Sequence, residues 1–155
     1  MQREIEARLG DVFDEKFEKT DVEYSYYTIL KGSEIIGRIH GLNQRGRFGG
    51  MQLILATDLE GRIVDFYYQK ISSPEADKFK AIEFTNQFLG ISLQDFYENA
   101  QDSTKTRLAQ IKDPSQENRQ DFEYTLRGIK KNLIQLDFFF LNRIHDKYFN
   151  PEKEN

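Results

Sequence analysis

Along residues 2 to 18 the apolar positions Ile5, Leu9, Val12, Phe13 and Phe17 recur at spacings of four, three, one and four, a single stripe on one face of a helix. Gly10 weakens that helix, and Thr20-Asp21 ends the pattern. From Val22 the period changes to that of a strand. Val22 to Leu30 is rich in β-branched and aromatic residues, Lys31-Gly32-Ser33 turns, and Glu34 to His40 returns, so a first hairpin is predicted over about 22–41. A Gly-rich bend, Gly46-Arg47-Phe48-Gly49-Gly50, then feeds a second apolar run. Asp58 to Gly61 turns it back through Ile63 to Phe66, giving a second hairpin over about 50–71. Four consecutive strands with short connections imply an antiparallel meander with one face available for helices.

After Ile71 the pattern turns helical. Ser72-Ser73-Pro74-Glu75 has the hydroxyl, proline and carboxylate of a helix start, and Phe79, Ile82, Phe84, Phe88 and Leu89 predict a helix stopping at Gly90. A shorter helix begins at Ser92. Asp113-Pro114-Ser115-Gln116-Glu117 predicts another start. Phe122, Leu126, Ile129, Leu133, Leu136 and Phe140 follow it at helical spacing. The run Phe138 to Leu141 puts apolar groups around much of that helix, which favours deep packing over contact with a second chain. The fold class is therefore α+β: an antiparallel sheet of four or more strands, about 22–71, packed with an N-terminal helix and C-terminal helices. Residues 1–150 form one domain, and 151–155 a frayed charged tail.

Composition adds exclusions. The 155 residues carry a net charge of -4, which gives no electrostatic reason to expect nucleic acid or an anionic membrane as the main partner. No window approaches the apolar length of a membrane span, and the N-terminus lacks the form of a signal peptide, so the chain as given is expected to be soluble. A removed leader or anchor would place it outside the cytoplasm. Cysteine is absent, which removes thiolate chemistry, disulfides and zinc–thiolate sites. His40 and His145 have no ligand-like spacing and are expected to be structural. Asp58, Glu60 and Asp65 cluster at a hairpin turn without the burial that acid–base chemistry needs. No catalytic residue and no metal ligand is expected.

The bend is the stretch with chemistry to offer. Glycines at 46, 49 and 50 let backbone pass where a side chain would collide, with another strand or with a flat ring system. Its spacing fits neither the phosphate loop nor the dinucleotide fingerprint. Arg45 and Arg47 flank it and are suited to a phosphate, and Phe48 is suited to stacking.

From about Tyr24 to Leu89 the chain resembles the FMN-binding domain family, which includes the flavin-carrying subunits of the Rnf electron-transport complex and of the sodium-pumping quinone reductase. The resemblance rests on Ile36-Gly37, on Gly46-Arg47-Phe48-Gly49-Gly50-Met51, and on Asp58-Leu59-Glu60-Gly61-Arg62-Ile63-Val64. It implies that the strand entry Gly46, Arg47, Phe48, Gly49, Gly50 and Met51 and the hairpin after it build the sheet beside the isoalloxazine, with Arg45 a further cofactor-binding candidate. Ser72-Ser73-Pro74 stands where the family usually has Glu-Thr-Pro, keeping a hydroxyl and the proline but losing the carboxylate. Ser115-Gln116-Glu117-Asn118 stands where covalent flavin carriers have Ser-Gly-Ala-Thr, so Asn118 falls at the acceptor position. An amide forms no phosphoester. The resemblance thus implies FMN held non-covalently, with its phosphate at the helix start near Ser115 and charge from Arg45, Arg47 or Arg119, with Ser72, Ser73 and Asn118 as further cofactor-binding candidates and electron exchange with a redox partner protein, or a scaffold that has lost its flavin. The reading from a different class is a non-catalytic interaction module that forms a homodimer through the aromatic C-terminal helix.

Overall fold

The structure is a computed structural model that describes residues 1–18, 26–104 and 106–153. The expected strand from residue 22 to 25 lies outside the described residues. Helix α1 (Gln2–Leu9) is followed by strands β1 (Tyr26–Lys31), β2 (Glu34–Gly46), β3 (Gly49–Thr57) and β4 (Ile63–Ile71). Four further helices follow: α2 (Ala76–Lys80), α3 (Ile82–Thr85), α4 (Leu93–Gln101) and the 22-residue α5 (Arg119–Phe140). The four strands form one antiparallel sheet in the order β1-β2-β3-β4. The α+β class and the meander are as the pattern predicts.

Four local expectations are corrected. The first helix ends at Leu9 rather than near residue 18, because Gly10 takes a left-handed φ of 75° and donates to Glu6 O as a helix-terminating cap. Val12 is consequently solvent-exposed rather than on a buried stripe. The first hairpin does not end at residue 41: β2 continues to Gly46, and Arg47-Phe48 is the two-residue turn into β3. The helix expected from 75 to 89 is broken at Ala81, whose extended backbone (φ -61°, ψ 136°) separates α2 from α3. The break lets Phe79, Phe84 and Phe88 meet edge to face, with centroids 5.6 Å and 5.4 Å apart. Finally, α5 begins at Arg119 rather than near Pro114. Asp113 instead holds a turn by accepting from the Ser115 backbone N–H and hydroxyl at 2.8 and 2.6 Å.

Alternation along β3 buries Met51, Leu53, Leu55 and Thr57 against α5, whose inward face supplies Ile129, Leu133 and Leu136. The helix approaches the sheet at Gly128, where an added Cβ would lie 2.4 Å from Leu53 Cδ1 and 3.0 Å from Gln44 Cγ. The opposite face of the sheet exposes Tyr27, Ile39 and Tyr67. At the far end of α5, Phe138 lies under the guanidiniums of Arg8 and Arg143, Phe140 meets Tyr26 at 4.2 Å, and Leu141 is buried. Only Phe139 of that run is exposed, so the run packs within its own chain as favoured. No helix among the described residues is long and apolar enough to cross a membrane.

Candidate functional site at the head of helix α5

Three segments far apart in sequence converge here: the β2–β3 turn, the Ser72–Glu75 segment after β4, and the loop leading into α5. The turn is held from below by Asp121 in the first turn of α5, whose Oδ1 accepts from the Arg47 N–H at 2.8 Å. Asn118 joins the other two. Its Oδ1 accepts from Arg47 Nη1 at 3.4 Å, and its Nδ2 donates to Glu75 Oε2 at 2.9 Å. Arg47 Nη1 also donates to Glu117 O at 3.3 Å, and its guanidinium lies 5.1 Å from the Phe48 ring.

The site residues named from sequence divide into two groups. Gly46, Arg47, Phe48, Gly49, Ser72, Ser73 and Asn118 are gathered at this corner. Gly49, with φ 141°, faces Ser72, whose Cβ and Oγ would lie 3.2 and 3.3 Å from an added Cβ. Ser73 Oγ accepts from the Glu75 N–H at 3.2 Å. Phe48 is half exposed, and Asn118 is buried. The other three point elsewhere. Arg45 pairs with Asp14 at 3.4 Å and sits over Tyr124. Gly50 lies under Phe17, whose Cδ1 would be 3.2 Å from an added Cβ. Met51 is core, 1% exposed, and its Sδ lies 3.9 Å from the Thr125 hydroxyl oxygen. Asp58 and Glu60 sit at the β3–β4 turn, where Asp58 Oδ1 caps the N–H groups of Glu60 and Arg62 at 2.9 Å each, and Asp65 lies within β4 opposite Ala56.

Glu75 was legible only as a helix-start carboxylate, and it turns out to be the centre of the corner. Its Oε1 accepts from Lys78 Nζ at 2.6 Å and the Gln116 N–H at 3.0 Å; its Oε2 accepts from the Glu117 N–H at 3.2 Å and from Asn118 Nδ2. The Lys78 ammonium, followed by the backbone N–H of Gln116, lowers its pKa to about 2, so it is anionic throughout the neutral range. A carboxylate of this chain therefore occupies the amides ahead of α5, the place where the resemblance puts the flavin phosphate. As the corner stands, its donors and its glycines are met by the chain's own side chains. The amides of Gln116 and Glu117 carry the Glu75 carboxylate and its negative charge, and Ser72 and Phe17 lie over Gly49 and Gly50.

Sequence reasoning also missed a set of polar side chains on the buried face of α5. Asp121, Thr125 and Asn132, like Gly128, follow the same helical periodicity as the apolar stripe, and that interleaving was the available signal. Thr125 Oγ1 donates to Asp121 O at 2.8 Å and contacts Tyr68 Oη at 2.7 Å. Burial raises the Tyr68 phenol far above its usual range. His40 lies between Asn132 Oδ1, 2.5 Å from its Nδ1, and Thr57 Oγ1, 3.2 Å from its Nε2. Burial pushes its pKa down to about 4, so the ring is neutral and structural. His145 likewise binds Asp137, Nδ1 to Oδ1 at 2.6 Å, within the C-terminal segment.

A second charged group ties the N-terminal segment to the middle of α5. Glu18, whose side chain is 1% exposed, accepts from Arg127 Nη1 at 2.6 Å and from Lys131 Nζ. Lys131 also donates to Asn43 O at 2.8 Å, and Arg127 to Asp11, Gln44 and Val12 O. Burial alone would raise the Glu18 carboxyl, but the Arg127 hydrogen bond and the Lys131 charge leave it below its ordinary value. Burial lowers Lys131 to about 8 in spite of Glu18. With its charges engaged on one another, this cluster is a fastening. No group of three or more metal-ligating side chains occurs among the described residues.

No protein-family model matches the chain, and no curated protein is significantly similar to it.

Proposed function

We propose that the chain is a flavin-derived domain that acts as a non-catalytic binding or structural module rather than as an electron carrier. The observation that carries this is the Glu75 carboxylate on the amides ahead of α5. The convergence of Gly49, Ser72, Arg47 and Asn118 supports the flavin-type ancestry. The filling of that corner by the chain's own side chains argues against a resident flavin. Association is better served by the bare sheet face with Tyr27, Ile39 and Tyr67 than by the aromatic helix end, where Phe138, Phe140 and Leu141 are already engaged.

The second reading, non-covalent FMN exchanging electrons with a redox partner, is favoured by the same convergence. Visible absorption of the purified protein and a titration of FMN fluorescence separate the two. A colourless protein that leaves FMN fluorescence unquenched supports the module. Saturable quenching, weakened by Gly49→Val, overturns it in favour of the flavoprotein. Sedimentation across a range of concentrations then establishes whether the module pairs with itself.

A further inference from the structure

This step rests on the reading of the chain as a flavin-type scaffold and concerns how that scaffold came to need no cofactor. Glu75 stands at the N-terminal boundary of α2, yet its carboxylate is turned away from α2's own amides and across to a loop some forty residues later. There it meets four donors: two backbone N–H groups, one side-chain amide and one ammonium. Two carboxylate oxygens offer about four lone-pair positions, so its accepting capacity is used up. The donors are a set that a phosphate ester would otherwise draw on: consecutive amides ahead of a long helix, an amide side chain bonded to Arg47, and the partly exposed Lys78 ammonium.

We propose that Glu75 is a built-in replacement for a ligand phosphate. Its carboxylate completes the cradle ahead of α5 in the intact protein, and removing that carboxylate opens a binding place for a phosphate group. A carboxylate tethered to the same fold competes as an intramolecular ligand, at an effective concentration of about millimolar or above, whereas a free phosphate must also overcome the like charge already present. The chain thus excludes phosphate by occupancy while keeping the donors. Asn118 fits this account: it gives the cradle a neutral donor where an esterifiable hydroxyl would serve a covalently held flavin.

Chemical rescue tests it, with inorganic phosphate as the probe and chloride at matched ionic strength as the control. Glu75→Ala is expected to melt about 2–4 °C below the parent. Phosphate should restore that loss in a saturable way while leaving the parent unmoved relative to chloride, and Glu75→Gln should fall between them. Amide resonances of Gln116 and Glu117 should shift on adding phosphate to Glu75→Ala and stay fixed in the parent. Equal stabilisation of parent and variant by phosphate overturns the proposal, since it marks a general salt effect. So does a variant whose Gln116 and Glu117 resonances ignore phosphate. If Glu75→Ala does not fold, the same resonances in Glu75→Gln carry the test. FMN titration of the parent stays separate: a parent that binds FMN sinks the module reading of the previous section, whereas a parent indifferent to FMN with an unrescued variant sinks only this one.

Discussion

The Glu75 and Glu18 carboxylates each fasten a distant segment to α5, and they do so under opposite conditions. Glu75 sits at the rim of the domain and is met mainly by amides, with one half-exposed lysine. Glu18 is enclosed and faces two full cations, Arg127 and Lys131, both largely out of solvent. Near solvent, a carboxylate and its partners can be rehydrated when parted, so the fastening is exchangeable. In the interior, desolvation makes the same parting costly, because a charge left behind has no water to turn to. The rim site can trade one anion for another; the interior site cannot.

Removing the interior carboxylate should have the largest effect. Glu18→Ala strands Arg127 and Lys131 together and is expected to cost about 3–5 kcal/mol in urea unfolding at pH 7. Glu18 holds the Lys131 value up at about 8 against burial, so in the variant the amine sheds its proton at a lower pH, and part of that loss should return as the pH rises. A loss under 1 kcal/mol would show that the two clusters do not differ as their burial implies.

Acid should separate the contributions by window. The folded pKa of His40 lies below its unfolded value, about 4 against 6.5, so the unfolded state binds more protons between them and stability falls as pH drops through that range. The expected fall is about 3 kcal/mol, read from urea midpoints, and His40→Gln should flatten it. The depressed Glu75 carboxyl contributes above its unfolded value of 4.5 and loses that contribution as pH falls towards about 2. This smaller, later step should be absent in Glu75→Gln.

Between these lies a packing test. Gly128→Ala places a methyl 2.4 Å from Leu53 Cδ1 and should cost about 1–3 kcal/mol by pushing α5 off the sheet. The smallest expected effect is that of Arg47→Lys, which gives up the planar guanidinium whose Nη1 donates to both Glu117 O and Asn118 Oδ1 at an exposed site. It should barely move Tm yet weaken phosphate rescue of Glu75→Ala. Rescue unaffected by Arg47→Lys would remove Arg47 from the cradle.

Period and turn chemistry alone predicted much of the architecture. Alternation in Met51 to Thr57, the glycines at 32 and 61, and the helical spacing from Phe122 to Phe140 are local signals, and local backbone geometry answers to them. The misjudged boundaries share a cause. Gly10 and Ala81 end or break helices whose apolar spacing runs on past them, and β2 carries on to Gly46 because β3 is there to pair with it. Spacing reports which face is apolar; it does not report what the neighbouring element needs.

Of the corner at the head of α5, the sequence by itself determined its parts: a glycine bend, a serine–proline segment, and an asparagine ahead of the last helix. Which side chain occupies it was a tertiary decision. Glu75 and Gln116 lie 41 residues apart, and only the folding of the sheet and the seating of α5 bring that carboxylate to those amides. A carboxylate beside a proline looks the same in sequence whether it caps its own helix or another, because the difference lies in direction and distance, and those exist only once the chain has closed on itself.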